Sequence, residues 1–258
     1  MKTEKIKILN INVDSVSLES VLTKELSGFV VTPNLDHLVK LQKDKLFYQI
    51  YRSADWVFCD SRYIWLYSKL FKNSIKEVIT GSDLFPNYCL SIASIKENNK
   101  RVFLLGGTTE LILEKAVQNL KSLGEYNYIV DSCSPPFGFE NDKNYINNLI
   151  NRINKSKANV LAIGLGAPKQ EKIFHLIKDK LSYIQLTFAI GATIDFISGD
   201  LKRAPNWIKK IGMEWFYRMC LDPKRLIKRY LIEDLPVFIL FIKQKFGLYK
   251  DPFLSEKQ

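Results

Sequence analysis

Apolar residues along the chain switch between short β-rich runs and longer stretches with helical spacing. The short runs predict strands at Lys5–Val13, Gly28–Val31, Trp56–Cys59, Arg101–Leu105, Asn159–Ile163 and Gln185–Ala189. The longer stretches predict helices at Leu18–Leu26, Leu35–Ser53, Thr109–Leu123 and Lys169–Lys180. Strands that alternate with helices indicate an α/β fold: a Rossmann-like, mostly parallel sheet flanked by helices.

The pattern changes after Asp200, where strand-like runs stop. Trp207–Cys220 has helical spacing, and Asp222-Pro223 is typical of an N-cap followed by the first helical residue. A second helix is predicted from there towards Lys245. We therefore predict an α/β domain over residues 1–200 and a helical C-terminal appendage over residues 201–258.

Charge is concentrated in this C-terminal part. The chain has a formal net charge of +11, and residues 201–258 carry 13 Lys and Arg against 6 Asp and Glu. A basic block of this kind favours an anionic partner such as phospholipid head groups, a diphosphate or nucleic acid. A solvated, lysine-rich surface is the alternative.

Cysteine and histidine are too sparse and scattered to predict a metal site or disulfides. The four cysteines form no C-x-x-C pair, there are two histidines, and no D-x-D sequence occurs. We expect free thiols in a reducing compartment, no bound metal and no cofactor.

No stretch has the length of a membrane-spanning helix. The longest apolar run is Pro236–Ile242, well below the roughly 20 residues that span a bilayer. The first ten residues lack the apolar segment of a signal peptide. We expect a cytoplasmic protein that is soluble or peripheral on the membrane.

Two strand–glycine–helix junctions are candidates for phosphate binding. In Gly164–Glu171 (GLGAPKQE), Gly164 and Gly166 let backbone approach a ligand, Lys169 adds charge, and Gln170 offers hydrogen bonds. Gly106-Gly107 begins a similar junction. At the first junction, the alternative is a tight structural turn. At the second, the stronger alternative is that Thr108 or Thr109 caps the next helix.

Asp60 directly follows the apolar run Trp56–Cys59, which places it at the carboxyl edge of the predicted sheet. Ligands bind at this edge in open α/β sheets. A carboxylate there is a candidate general base, and an ordinary helix N-cap is the alternative.

Cations and apolar residues share the last predicted helix. Arg225, Lys228 and Arg229 lie on one face of its first turns, where the helix dipole disfavours cations unless an anion binds. Farther along, Ile227, Leu231, Leu235, Phe238 and Ile242 form a stripe at helical spacing. The stripe predicts either core packing or an interfacial helix with Lys243 and Lys245 near lipid phosphates.

Taken in order, several segments resemble the WecG/TagA/CpsF glycosyltransferase family. They are VTPNLDHL (Val31–Leu38), ADWVFCDS (Ala54–Ser61), VITGSDL (Val78–Leu84), FLLGG (Phe103–Gly107), GLGAPKQE (Gly164–Glu171), GATIDFISG (Gly191–Gly199), and RAPNWIKKIGMEWFYR (Arg203–Arg218) followed by DPKRLIKRY (Asp222–Tyr230). The resemblance covers nearly the whole chain.

The resemblance implies an inverting, metal-independent transfer of N-acetylmannosamine or a related hexose. The donor would be a UDP-sugar and the acceptor a polyprenyl-diphosphate-linked sugar, in teichoic acid or other cell-surface polysaccharide synthesis. It also implies a C-terminal appendage that docks on the anionic inner face of the cell membrane and closes the active site. A monomer and a homo-oligomer both stay open.

Site residues follow from matching positions in the family motifs. Asp60 matches the catalytic base, while Thr32, Asn34 and Gln170 match polar residues of the donor site. Asp195 matches a ribose-binding acid. Arg218 and Arg225 match arginines that meet the acceptor diphosphate, with Lys228 and Arg229 beside them. One departure is Asp60-Ser61, where the family usually has Asp-Gly, followed by the aromatic and polar segment Arg62–Ser68.

Two other classes of function are weighed against this one. A nucleotide-sugar oxidoreductase or epimerase would need a dinucleotide-binding fingerprint near the N-terminus, and Ile6–Val13 has none. A non-enzymatic nucleic-acid-binding protein is suggested only by the net charge, without a recognised binding motif. We expect no nucleic-acid partner.

Overall fold

The computed structural model describes residues 3–95, 99–124, 126–205, 208 and 213–254, except for the side chains of Arg218 and Arg225. The strands are β1 (Lys5–Ile8), β2 (Ile11–Asp14), β3 (Gly28–Val31), β4 (Trp56–Val57), β5 (Val102–Gly106), β6 (Ile129–Cys133), β7 (Val160–Gly164) and β8 (Leu186–Ala189). The helices of the first 200 residues are α1 (Leu18–Leu22), α2 (Leu35–Lys40), α3 (Lys45–Arg52), α4 (Arg62–Ser68), α5 (Gly81–Ala93), α6 (Glu110–Lys121), α7 (Lys143–Ser156), α8 (Lys169–Ile177) and α9 (Thr193–Ser198).

A six-stranded sheet forms the centre of the fold, in the order β4-β3-β8-β7-β5-β6. All its strand pairs are parallel. Side chains alternate between its two faces: Val102 and Leu104 join one core, whereas Phe103 and Leu105 join another. The predicted Rossmann-like α/β fold is confirmed.

The predicted strand Lys5–Val13 is wrong as a single strand, because the chain turns back within it. β1 and β2 pair antiparallel, with Ile8 opposite Ile11, as a separate two-stranded sheet. Leu9 at the turn has a φ of 51°, a left-handed conformation that Leu rarely adopts. Its side chain is fully buried, so packing stabilises a turn that local sequence does not predict.

The predicted helix Leu35–Ser53 is also wrong in its continuity. α2 ends at Lys40 and α3 begins at Lys45. Between them, the Asp44 carboxylate accepts a hydrogen bond from the Phe47 amide at 3.0 Å and so caps α3. Both halves bury apolar residues, Leu38 and Val39 in α2 and Phe47 and Ile50 in α3, which is why the pattern predicts one continuous helix.

Five elements extend the fold beyond the prediction: α4, α5, β6, α7 and α9. β6 lies at an edge of the sheet and carries the partly exposed Asp131 and Ser132. Arg152 on α7 binds the Asp131 carboxylate with two hydrogen bonds of 2.9 and 2.8 Å. These bonds hold α7 against β6. The polar residues of β6 interrupt its apolar run, which is why the sequence pattern did not predict this strand.

The C-terminal segment is helical. It comprises α10 (Glu214–Leu221), α11 (Pro223–Lys228), a π-helical turn at Arg229–Glu233 and α12 (Pro236–Lys245). Asp222 and Pro223 occupy the predicted N-cap and first helical positions. The predicted uninterrupted helix to Lys245 is wrong, because α11 and α12 are separated. The part of the predicted helix Trp207–Cys220 that precedes residue 213 falls mostly outside the described residues.

One face of α12 belongs to the core of the α/β domain. Val237 and Phe241 are buried with residues of β1, β3 and α3. The Phe241 ring stacks on Tyr67 of α4, with centroids 4.0 Å apart, and the Tyr67 hydroxyl donates to the Phe241 carbonyl at 2.9 Å. The C-terminal segment therefore shares a core with the sheet, and its division from residues 1–200 remains a prediction.

The residues of the predicted apolar stripe lie outside that core. Its five residues, Ile227, Leu231, Leu235, Phe238 and Ile242, are 38–60% exposed, so the core-packing interpretation is wrong for them. In the described part of the chain, no helix has the length and apolarity to cross a membrane.

Candidate active site

A cavity of about 870 Å³ opens at the carboxyl ends of the strands, where the C-terminal segment meets the sheet. The loops after β3, β4, β7 and β8 form part of its wall, and Trp215, Tyr230 and Phe238 from the C-terminal segment form another part. Among the predicted site residues whose side chains are described, six line it: Thr32, Asn34, Asp60, Gly166, Gln170 and Arg229. Four loops that are distant in the sequence thus converge on one space, as the parallel sheet requires.

Asp60 stands at the end of the loop that leaves β4. Its amide donates to the Pro33 carbonyl at 3.0 Å, which ties the β4 loop to the β3 loop. The helix cap of α4 is the neighbouring Ser61, whose hydroxyl accepts from the Ile64 amide. The N-cap interpretation of Asp60 is therefore wrong, and Asp60 is part of the cavity wall.

Gln170 connects two loops of the cavity wall. Its Oε1 accepts from the Gly191 amide at 2.9 Å, and its Nε2 donates to Glu171 Oε1 at 2.9 Å. Glu171 is fully buried, and burial raises its pKa to about 7, an effect that the Gln170 hydrogen bond opposes. Gln170 is thus committed to positioning the β8–α9 loop, while one Nε2 hydrogen remains for a ligand.

A buried charge cluster holds the C-terminal segment against α2. The Asp36 carboxylate lies 2.7 Å from Lys40 Nζ and 3.1 Å from the Arg229 guanidinium. The neighbouring His37 has its pKa lowered to about 3 by burial, so the ring is neutral at pH 7. Its Nδ1 lies 2.8 Å from the Tyr51 hydroxyl. Arg229, predicted as an acceptor-diphosphate ligand, already has a carboxylate partner.

Asp234 is a second buried carboxyl group in the cavity wall. Burial raises its pKa to about 6, although the nearby Arg229 opposes the shift. Its Oδ1 has no hydrogen-bond partner among the described residues. An unpaired buried oxygen costs free energy, so this atom is suited to a ligand hydroxyl.

The N-terminus of α5 contributes an ion pair beside the cavity. Arg203 lies 2.8 Å from Asp83 and donates to the Ser82 carbonyl at 3.2 Å. Thr80 caps the helix and bonds the Asp83 carboxylate at 2.7 Å. Thr80, Ser82 and Asp83 belong to the segment VITGSDL, and Arg203 begins the segment RAPNW. The sequence analysis assigned no role to any of these residues.

Asp36, Thr80, Ser82, Asp83 and Asp234 are lining residues to which the sequence assigned no role. The family motifs were the available signal, because four of these five residues lie inside the segments that carry the family resemblance. Asp234 lies outside them, and only the tertiary packing of the C-terminal segment brings it into the site.

Other predicted site residues lie elsewhere. The glycines Gly106 and Gly164 serve backbone packing, since a Cβ on Gly106 would be 2.3 Å from the Gly164 carbonyl oxygen. Asp195 Oδ1 accepts from the Thr108 amide at 3.1 Å, which ties α9 to the Gly107–Thr109 loop. Thr109 caps α6, as one alternative predicted.

Among the predicted cations, Lys169 pairs with Glu140 at 2.7 Å, and Lys228 is an exposed side chain 3.5 Å from Glu233. Neither lines the cavity. The side chains of Arg218 and Arg225 lie outside the described residues. Ligand roles for these four residues, and for Gly106, Gly107, Gly164 and Asp195, remain predictions.

The described residues hold no group of three His, Cys, Asp or Glu side chains with the spacing of a metal site. The chemistry available in the cavity is that of carboxyl groups, guanidinium groups and hydroxyls. Such a set suits proton transfer to a carboxylate and recognition of hydroxylated, anionic ligands.

Known proteins are similar to this chain in sequence over most of their length. The profile of the glycosyl transferase WecG/TagA/CpsF family matches residues 6–251. A Bacillus subtilis (strain 168) protein named N-acetylglucosaminyldiphosphoundecaprenol N-acetyl-beta-D-mannosaminyltransferase is 29% identical over 235 residues, 90% of this chain and 86% of that protein. A protein of the same name from Staphylococcus aureus (strain NCTC 8325 / PS 47) is 25% identical over 250 residues, 92% and 91% of the two chains. This chain is therefore a glycosyltransferase that belongs to the WecG/TagA/CpsF family.

Proposed function

We propose that this enzyme transfers a sugar from a UDP-sugar to a sugar linked to polyprenyl diphosphate, in teichoic acid or related cell-surface polysaccharide synthesis. The observation that carries the proposal is the cavity, in which Asp60 meets the loops of β3, β7 and β8 beneath a C-terminal segment with exposed apolar residues. Both relatives are named for a diphosphoundecaprenol acceptor and an N-acetylmannosaminyl group. We propose N-acetylmannosamine or a related hexose as the sugar transferred.

The donor diphosphate is proposed to lie at the starts of α8 and α9. Each of the helices α1 to α7 has a side chain that caps its first turn, whereas α8 and α9 have none. The loops that precede these two helices, at Gly166-Ala167 and Gly191-Ala192, line the cavity. A helix start without a side-chain cap leaves backbone amides and a positive dipole for phosphate oxygens.

The acid–base chemistry is proposed to rest on Asp60. A sugar hydroxyl of the acceptor becomes a good nucleophile only as its proton is removed, and a carboxylate that lines the cavity can accept that proton. Attack from the face opposite the leaving UDP inverts the anomeric carbon. We propose that backbone amides and cationic side chains, rather than a metal, stabilise the departing diphosphate.

A direct test is transfer from a panel of UDP-sugars to a short-chain lipid-diphosphate acceptor carrying N-acetylglucosamine, with and without EDTA. We expect transfer from at least one UDP-N-acetylhexosamine, at an unchanged rate in EDTA, because the chain has no D-x-D sequence. Product is measured by mass spectrometry. Activity that EDTA abolishes and manganese restores would contradict metal independence, and no transfer from any UDP-sugar would contradict the proposed donor class.

The exposed apolar face of the C-terminal segment is proposed to lie on the anionic inner face of the cell membrane. Ile232, Ile239 and Ile242 are each about 60% exposed, and Lys243 and Lys245 follow on α12. Apolar residues beside cations are typical of helices that lie in the head-group region.

We expect the double variant Ile239→Ser/Ile242→Ser to bind vesicles containing anionic lipid at least about tenfold more weakly, since each buried CH₂ contributes about 0.8 kcal/mol. Co-sedimentation measures this, with Leu111→Ser on α6, an exposed apolar residue of the other domain, as the matched control. If the double variant bound vesicles as tightly as the wild type, this face would not contact the membrane.

A further inference from the structure

The described side chains that line the cavity carry more acidic than basic groups, which does not favour binding of a diphosphate. Of the described lining side chains, five carry carboxyl groups, namely Asp36, Asp60, Asp83, Glu214 and Asp234, and two carry guanidinium groups, namely Arg62 and Arg229. Arg229 lies 3.1 Å from the Asp36 carboxylate, a partner that it shares with Lys40. Arg62 has no carboxylate within ion-pair distance among the described residues, so its charge is available to a ligand.

Arg62 is held in place by an aromatic ring. Its Cζ lies 4.3 Å from the ring centroid of Trp65, one turn later on α4. A guanidinium above a ring is oriented and attracted without being neutralised, and its N–H groups stay free for two phosphate oxygens. Arg62 is therefore an ordered cation in the cavity wall.

The same ring has a second cation that serves as an internal comparison. Lys69 Nζ lies 4.6 Å from the Trp65 centroid. It donates to the Ser74 hydroxyl at 3.1 Å and to the Ile75 carbonyl at 3.2 Å, and it does not line the cavity. The two cations thus share the stacking contact and differ in access to the cavity.

The position of Arg62 favours the acceptor over the donor. It follows Asp60 by two residues, and the next residue, Tyr63, contacts Phe238 of α12 edge-to-face at 6.0 Å. This wall joins the candidate base to the exposed apolar segment, where a lipid-linked substrate would enter. The uncapped starts of α8 and α9 belong to other loops. We propose that Arg62 binds the diphosphate of the lipid-linked acceptor, an inference that rests on the proposed function.

The test compares Arg62→Met, Arg62→Lys and Lys69→Met in steady-state transfer to a short-chain lipid-diphosphate acceptor. Loss of one charge-assisted contact should raise the acceptor KM of Arg62→Met about tenfold or more, with the donor KM unchanged. Arg62→Lys should recover part of this loss, and Lys69→Met should match the wild type. Inorganic pyrophosphate, competing with the acceptor, should inhibit Arg62→Met correspondingly less.

Several results would overturn the inference. An increase in the donor KM would assign Arg62 to the donor diphosphate instead, and unchanged KM values in Arg62→Met would show that it binds neither. An equal defect in Lys69→Met would assign the effect to the Trp65 stack. These outcomes concern Arg62 alone, because the proposed function stands as long as the wild-type enzyme transfers the sugar. If the wild-type enzyme transferred no sugar, the proposed function itself would be contradicted.

Discussion

Replacing Asp60 with Asn is expected to lower turnover by about 10²–10⁴-fold while UDP affinity stays close to that of the wild type. The substitution replaces a carboxylate, which can accept a proton, with an amide, which cannot do so near neutral pH, yet it keeps the shape of the side chain. The backbone amide of residue 60 still bonds Pro33, so the loop should keep its position. Turnover is measured with saturating donor and acceptor, and UDP binding by calorimetry.

Asp55 offers a matched control at the other end of the same strand. It precedes β4, and its carboxylate accepts from the Phe29 amide at 2.7 Å, a bond that an Asn oxygen can also accept. We expect Asp55→Asn to keep nearly full turnover. If Asp60→Asn retained more than about a tenth of wild-type turnover, Asp60 would not be the base.

Replacing Phe241 with Ala is expected to destabilise the protein by about 3–5 kcal/mol. The ring is buried, stacks on Tyr67 and packs with residues of the α/β core, so its loss leaves a cavity that α12 cannot fill. The free energy of unfolding is measured by urea denaturation. The adjacent Ile242→Ala is the control, because Ile242 is exposed and its truncation should change stability by no more than about 0.5 kcal/mol.

The comparison also tests how the chain is divided. A loss below about 1 kcal/mol in Phe241→Ala would mean that α12 contributes little to the shared core, as expected of an appendage that is separate from residues 1–200. A loss in the full expected range would show that residues 201–258 stabilise the sheet domain itself.

The central strands were predicted well because they are buried on both faces. Each residue of β5 is buried, so its apolar run has no competing interpretation. Leu9 shows the opposite case: its left-handed turn is stabilised by burial, which local sequence does not report. Asp44, which caps α3, could have indicated the break between α2 and α3. The helical spacing of the apolar residues on either side predicted one continuous helix instead.

The sequence predicted those site residues that lie at the ends of strands. It missed those that reach the site through packing between segments far apart in the sequence. Thr32, Asn34, Asp60 and Gln170 follow strands, so a parallel sheet brings them to one edge. Asp36 and Asp234 look like solvated helix residues in the sequence. They become buried only when the π-helical turn at Arg229–Glu233 packs against α2.

The two-sided character of α12 has a geometric consequence for substrate choice. One side is fixed in the core through Val237 and Phe241, and the other carries the exposed Ile239 and Ile242. The height of Asp60 above the proposed membrane surface is then set by the fold and needs no hinge. If the proposed function is correct, the enzyme would select its acceptor by length, that is, by the number of sugars between the lipid anchor and the reacting hydroxyl. A lipid carrying one sugar and a lipid carrying two would present that hydroxyl at different heights above the membrane surface.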